Sequence, residues 1–320
     1  MLLVFGSINF DIIIRVPHLP APGETVLGGE ASHEPGGKGA NQAHAARRYG
    51  TPTRLVGAVG DDPFGERALQ RLREGGVDLS GVQALPGVAS GLACISVAPS
   101  GENAIAVAPG ANARVCADWV ADADIAPCRA LLVQGEVPLH EALALARRFR
   151  RTGRLAIMNP APMPAQPLPP GAFDWLVVNQ TETQQLCGAL GIDGGDRLER
   201  GRQLAQRQQC HVLMTLGAEG ALLVRSDGSH AHCPALAGPA VDADVGAVVD
   251  TTGAGDTLAG VFAAALAQSV PAEQALRIAI VAAGLSCRRH GTQSAQPARA
   301  RIDATLAAWS TLLVCSDSDH

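Results

Sequence analysis

Short apolar runs alternate along this chain with longer stretches in which apolar residues recur every three to four positions. LLVF (2–5), TRLVGAVG (53–60), RALLVQG (129–135), LAIMNP (155–160), WLVVN (175–179), HVLMTLG (211–217) and GALLVRS (220–226) have the length of strands. Several are apolar at consecutive positions, as parallel strands covered on both faces should be. Between them the period becomes helical at 38–49, 63–74, 138–152, 180–188 and 195–209. The β-α-β-α order predicts an α/β fold: a central, mostly parallel sheet flanked by helices. Ligands of such sheets bind outside the carboxyl ends of the strands. Four segments, GSINFD, QGEVP, NPAP and NQTE, stand at predicted strand ends.

Two stretches break this rhythm. Residues 12–34 are punctuated by Pro and Gly between short alternating runs, and residues 89–108 read as a hairpin turning at Pro99-Ser100-Gly101-Glu102. Together they predict a small β-sheet appendage inserted into a single domain spanning 1–320, placed to cover a site on the main sheet. The pattern alone suits an ordinary edge hairpin equally well. The tail VCSDSDH is expected to fray.

Composition narrows the function classes. With 47% hydrophobic and 17% charged residues, the chain can bury a large core. A net charge of −5 without a basic stripe argues against a nucleic-acid partner. No apolar run reaches membrane-spanning length, and MLLVFGSINF has neither a basic segment nor a cleavage site, so it reads as a core strand. The eight cysteines are irregularly spaced and form no C-x-x-C pair. They fit reduced, mostly buried thiols of a cytoplasmic protein.

The chemistry concentrates in DTTGAGDT (250–257). A helix with Leu258, Val261, Phe262, Ala265 and Leu266 on one face is expected to begin near Gly255 or Asp256. Its first amides lack intrahelical partners and sit at the positive end of the helix dipole. Gly253, Ala254 and Gly255 put almost no side chain before those amides, so a phosphate oxygen can approach them. Asp256 at the edge of this anion hole is placed to accept a proton from an attacking hydroxyl. Taken alone, the same pattern describes a capped helix start. SHEPGGKG lacks the first glycine of a P-loop, and Gly260 comes two positions late for a Rossmann fingerprint. A second stretch, GGKGANQA (36–43), opens another helix with glycines and sets Lys38 and Asn41 three apart, on one face. Hydrogen-bonding a polyol calls for amide and carboxylate side chains beside exposed backbone N–H groups, and a Gly-rich loop entering a helix explains the glycines but not Asn41.

With both motifs in view, the chain resembles the ribokinase-like (PfkB) family of carbohydrate kinases. The likeness runs from Leu2 to about Pro297, carried in order by GSINFD, PAPGETV, GGKGANQA, VGDDPFGE, GANA, QGEVP, NPAP, NQTE, TLGAEG and DTTGAGDT. The resemblance implies a β-sheet lid closing over the sugar, and a homodimer in which lids clasp each other. It implies transfer of the γ-phosphate of ATP to the primary hydroxyl of a pentose, D-ribose first, with another furanose sugar or a nucleoside as alternatives. A non-catalytic sugar-binding relative is the reading from another class; such a protein should have lost Asp256 or the glycines before it. By resemblance Asn9, Asp11, Gly37, Lys38, Asn41 and Glu136 bind sugar hydroxyls. Asn179 and Glu182 help place phosphate and hydrated Mg²⁺, with Glu182 reaching the metal through water. Thr215, Leu216, Gly217, Ala218, Glu219 and Gly220 line the ATP site. Asp256 is the base, and Gly253, Ala254 and Gly255 hold the transferring phosphoryl group. The resemblance also implies a K⁺ site from Asp250, Thr252, Ser286, Arg289 and Gly291. Two departures stand out. Ala295 occupies a position where the family commonly supplies a serine hydroxyl, leaving Ser294 or water as the substitute. The loop CPALAGPAVDADVGAVVD (233–250) is several residues longer than in the family and would lie near the adenine; its neighbours His230, His232 and Cys233 offer a metal site as an alternative to an exposed turn.

Overall fold

The structure, a computed structural model, describes residues 1–237 and 245–316. The middle of the long 233–250 loop and the last four residues of the expected frayed tail lie outside the described residues.

Thirteen strands occur among the described residues. Nine form one sheet in the order β13-β12-β11-β10-β9-β8-β1-β4-β5. These are β1 (Leu2–Phe5), β4 (Thr53–Gly60), β5 (Asp78–Leu85), β8 (Ala130–Gln134), β9 (Leu155–Asn159), β10 (Trp175–Asn179), β11 (His211–Thr215), β12 (Ala221–Val224) and β13 (His230–Cys233). All neighbours pair in parallel except at β12 and β13, which close one edge as antiparallel strands. The helices are α1 (Lys38–Arg48), α2 (Pro63–Glu74), α3 (Asp122–Ile125), α4 (Leu139–Arg151), α5 (Gln180–Ala189), α6 (Arg197–Gln208), α7 (Ala254–Ala267), α8 (Ala272–Ser286) and α9 (Arg299–Ser316). The tail from Val314 to Ser316, expected to fray, continues the last helix.

Alternate residues of each strand feed two separate cores, which explains the unbroken apolar runs. Leu2 and Val4 join a core with Ala43, Leu72, Phe262 and Ile278; Leu3 and Phe5 join another with Leu145, Phe149, Leu186 and Leu204. Helix α7 is buried almost all round rather than on the single expected face. It lies between α1 and α8, and its alanines and glycines let both neighbours come close. A Cβ at Gly260 would come within 2.4 Å of the Gln42 carbonyl oxygen of α1. That closeness sets the distance between the two helices that carry the site.

The two irregular stretches form a second, four-stranded sheet in the order β3-β2-β6-β7. It contains β2 (Asn9–Arg15), β3 (Ala31–Gly36), β6 (Gly91–Val97) and β7 (Asn103–Ala108). Residues 16–30 of the first stretch are irregular. Strand β2 follows β1 after three residues, and β3 leads directly into α1, so this lid is tied to the main sheet where β1 ends. Phe10 anchors it, stacked against His33 and Phe64, with the Arg67 guanidinium 4.6 Å from its ring centre.

Candidate active site

In the large sheet the strand order reverses at β1 and β8, and the residues after these two strands open the crevice where open α/β sheets bind ligands. The loop after β1 supplies Ser7, and the lid strand β2 that follows it supplies Asn9 and Asp11; the loop after β8 supplies Glu136. Glu136 Oε2 accepts from the Lys38 amide at 2.9 Å and from the Ser7 hydroxyl at 2.5 Å. A carboxylate thus sits on the N-terminus of α1, where unpaired amides and the helix dipole favour it. Gly37, the residue before that helix, has φ 88°, a conformation glycine adopts without penalty.

Asn9 is buried, and its Oδ1 accepts from Asn112 Nδ2 at 2.7 Å. Asn112 also grips the Ile8 backbone through both ends of its amide. Asp11 lies over Gly36, where any Cβ would collide with its carboxylate at 2.1–2.3 Å. Its Oδ1 is buried without a partner, so it has an unused acceptor position for a ligand hydroxyl. Burial, then the nearby charges of Glu136, Glu34 and Asp256, push its pKa up to about 7 against the opposing pull of Lys38. Lys38 shifts upward, held charged chiefly by Asp256 against burial, with Glu136, Glu182 and Asp11 adding.

Asp256 occupies the first turn of α7 and is buried. Its Oδ2 accepts from Asn41 Nδ2 at 3.0 Å and its Oδ1 from Gln42 Nε2 at 2.9 Å. Gly253, with φ 71°, is the left-handed residue from which the helix departs. Asp256 lines a cavity of roughly 140 Å³ together with Lys38, Asn159, Asn179, Glu182, Thr215, Gly253 and Gly255. Asn179 and Glu182 form a reciprocal cap on α5: Glu182 N–H donates to Asn179 Oδ1, and Asn179 N–H donates to Glu182 Oε2, each at 2.8 Å. Burial raises the Glu182 pKa despite that amide and Lys38, and Asp256 adds to the rise.

Thr215 and Gly255 also line a second, mainly apolar cavity of roughly 380 Å³, with Gly217, Ala218, Gly220, Leu236, Val248, Leu258, Gly284 and Cys287. Two members of the predicted ATP stretch stay out of it. Leu216 is buried in the core, and Glu219 pairs with Arg197 at 2.7 Å. Ala254 lines this cavity rather than the smaller one.

Asp250 accepts from Gly291 N–H at 3.0 Å and Thr252 N–H at 2.9 Å. Burial would raise its pKa, but these bonds and His290 outweigh it and hold the group below the usual carboxylate range. The Val249 and Asp250 amides both donate to the Cys287 carbonyl, so 249–252 lies along the 286–291 turn. The Ser286 carbonyl accepts from the Arg289 amide at 3.3 Å. Ala295 is buried, and the neighbouring Ser294 hydroxyl reaches the His290 carbonyl at 3.4 Å. The Asp250 carboxylate is thus fixed by amides of its own loop and of the 286–291 turn. The alternative metal group does not form. His232 binds the Glu219 carbonyl, Cys233 is buried, and no cluster of three His, Cys, Asp or Glu ligands occurs among the described residues.

Ser7, Gln42, Asn112, Gln134 and Asn159 were not singled out from sequence. All five lie inside quoted motifs, GSINFD, GGKGANQA, GANA, QGEVP and NPAP, so position in a motif is their available signal.

A glycine-fronted helix start, a buried carboxylate held by two amides and a polar crevice under a β lid make an arrangement that comparison with known proteins can test. Residues 1–299 match the model of the pfkB family carbohydrate kinases. A ribokinase of Lactococcus lactis is 34% identical over 307 residues, covering 95% of this chain and 96% of its own. A ribokinase structure from Thermotoga maritima superposes with TM-score 0.84 at 31% identity, covering 96% of this chain and 99% of its own. The Arabidopsis thaliana ribokinase complexed with ribose and ATP gives TM-score 0.82 at 28% identity, covering 95% and 98%. Sequence and fold agree over nearly the whole length, and the chain belongs to the pfkB family of carbohydrate kinases.

Proposed function

We propose that the chain is an ATP-dependent kinase that phosphorylates the primary hydroxyl of a pentose, D-ribose first. The observation that carries this reading is Asp256. Its carboxylate is buried, clamped by Asn41 and Gln42, and faces a cavity that meets the larger apolar one at Gly255. The larger cavity has the size and lining for a purine nucleoside, and the small one the charge pattern for phosphates and a reacting hydroxyl. The relatives named above, ribokinases, support the choice of sugar.

In this reading Asn9, Asp11, Lys38, Asn41, Glu136 and the Gly37 backbone hold the sugar hydroxyls. The primary hydroxyl gives its proton to Asp256 as its oxygen attacks the γ-phosphorus, and the β–γ bridging oxygen leaves with ADP. The amides at Gly253, Ala254 and Gly255 receive the charge that spreads over the transferring group. The lid excludes water, which would otherwise take the phosphoryl group. Glu182, capped by Asn179, fits a role holding a water of Mg²⁺ carried in with ATP; the metal would screen the phosphate charges. Asp250 with the carbonyls of Thr252, Ser286, Arg289 and Gly291 fits K⁺, which would steady the loop before α7. A need for free ATP suits a cytoplasmic enzyme. Exposed Ile105 and Val107 on β7, an edge strand of the lid, suit a homodimer joined lid to lid.

A nucleoside is the second reading. A cavity of roughly 350 Å³ lined by Asn9, Val107, Asn112 and Glu136 adjoins the sugar side and has room for more than a free pentose. A coupled ADP-release assay across pentoses, hexoses and nucleosides separates the two. In the same assay Asp256→Asn should lose roughly 10²–10⁴-fold in kcat while keeping its fold. Near-normal turnover by that variant would remove Asp256 as the base.

A further inference from the structure

Two side-chain amides reach Asp256, and the proposed chemistry assigns a role in the sugar site to only one of them, Asn41. The other, Gln42, is fully buried and takes no part in the lining of the cavity that Asp256 faces. Its Nε2 donates to Asp256 Oδ1 and to Asn159 Oδ1, both at 2.9 Å. Its Oε1 accepts from Gln134 Nε2 at 2.8 Å. Both N–H groups and the carbonyl are therefore used. A half-turn of the amide would set Oε1 against two acceptor oxygens and Nε2 against the Gln134 donor. The attractions to Asp256 Oδ1 and Asn159 Oδ1 would become repulsions between oxygens, so the orientation is fixed. Asn159 is fixed in turn by donating to the Val177 carbonyl at 2.8 Å.

The consequence falls on Asp256. The last torsion of an aspartate is soft, and a carboxylate held through one oxygen can swing about it. Asn41 holds Oδ2 and Gln42 holds Oδ1, so the plane is set from both sides. The close approach of α1 and α7 at Gly260, one turn beyond Asp256, keeps the Gln42 backbone at the required distance.

We infer that Gln42 is a positioning residue for phosphoryl transfer. It fixes the plane of the Asp256 carboxylate toward the incoming hydroxyl, and Gln134 and Asn159 hold it in the one orientation that can do so. This rests on Asp256 being the base.

Gln42→Leu should lower kcat roughly 10- to 100-fold, as small misplacements of reacting groups do. KM for sugar and for ATP should stay within about threefold, because Gln42 contacts neither cavity. Placed in the Asp256→Asn background, the same change should alter the residual kcat by less than about twofold, since the group it acts through is gone. A purely structural role predicts a different pattern: a lower melting temperature, a raised KM and an equal loss in both backgrounds. Wild-type-like kcat in Gln42→Leu, or full additivity with Asp256→Asn, overturns the inference. Should Gln42→Leu fail to fold, Gln134→Leu decides, because Gln134 touches Gln42 and not Asp256. It should lower kcat roughly 3- to 10-fold at unchanged KM, and unchanged kcat overturns the inference. Normal turnover by Asp256→Asn would instead sink the assignment of the base, a separate failure.

Discussion

Replacing Gly255 by alanine should make the protein more stable and less active, and the structure gives both signs. Gly255 is the second residue of α7, and a Cβ built there meets no protein atom within 4 Å. Its neighbour Gly253 differs: it has φ 71°, and its Cβ would press on Thr292 at 3.3 Å. Alanine at 255 therefore fits the fold without strain. Removing glycine from a compatible helical position stabilises by about 0.5–1 kcal/mol, mainly through the unfolded chain. For a domain of this size that is a rise in Tm of about 1–4 °C. Gly255 is also shared by the cavities assigned to the nucleoside and to the phosphates, and the empty space beside it is where a phosphate oxygen would approach. A methyl group there displaces at least one hydrogen bond to a charged acceptor, worth about 1.5–3 kcal/mol. At about 1.36 kcal/mol per decade, kcat/KM for ATP should fall roughly 10- to 150-fold. Thermal melts of the empty protein and ADP release at varied ATP give the two numbers. An alanine variant that melts lower would show that Gly255 is there for packing. One that keeps wild-type kcat/KM would show that no phosphate passes the tip of α7.

The remaining predictions concern pH, cations and assembly. Asp11, with its pKa raised from 3.8 to about 7, binds a proton in the folded protein over a range where the unfolded chain does not. The empty protein should therefore lose stability as pH rises from about 4 to 7, and Asp11→Asn should flatten that slope. Sugar hydroxyls donating to the carboxylate form imply a sugar KM up to about tenfold higher at pH 6 than at pH 8, a difference that Asp11→Asn should abolish. Activity assayed in tetramethylammonium instead of K⁺ should fall several-fold if Asp250 and its carbonyls hold a monovalent ion; equal rates would show that the site does not serve turnover. Sedimentation should give a dimer that Ile105→Asp converts to monomer, and an unchanged dimer would place the interface elsewhere.

What the sequence disclosed and what it hid follow one physical division. Strands buried on both faces announce themselves as unbroken apolar runs, and all seven marked from the pattern belong to the large sheet. Strand β5, with Ser80, Gln83 and Ala84 exposed and Gly81 mid-run, has no such run and was not marked. Helix α7 was placed within two residues of its start, yet the pattern showed one apolar face where the helix is covered on nearly all sides. Periodicity records the contrast between faces, and a helix packed between two others has little contrast to record. The site divides in the same way. Asn9, Lys38, Glu136 and Asp256 stand at or near strand ends or helix starts, where local geometry already suggests chemistry. The hold on Asp256 Oδ1 comes from Gln42, reached across 214 positions of chain, and Gln42 in turn accepts from Gln134 across another 92. Nothing about a glutamine in mid-helix distinguishes an amide aimed at solvent from one aimed at a buried carboxylate until α1 and α7 are packed together. That packing depends on Gly260, a residue with no chemistry of its own. The residues proposed to perform the reaction thus stand where local pattern draws attention, while those proposed to orient them become visible only when distant elements meet.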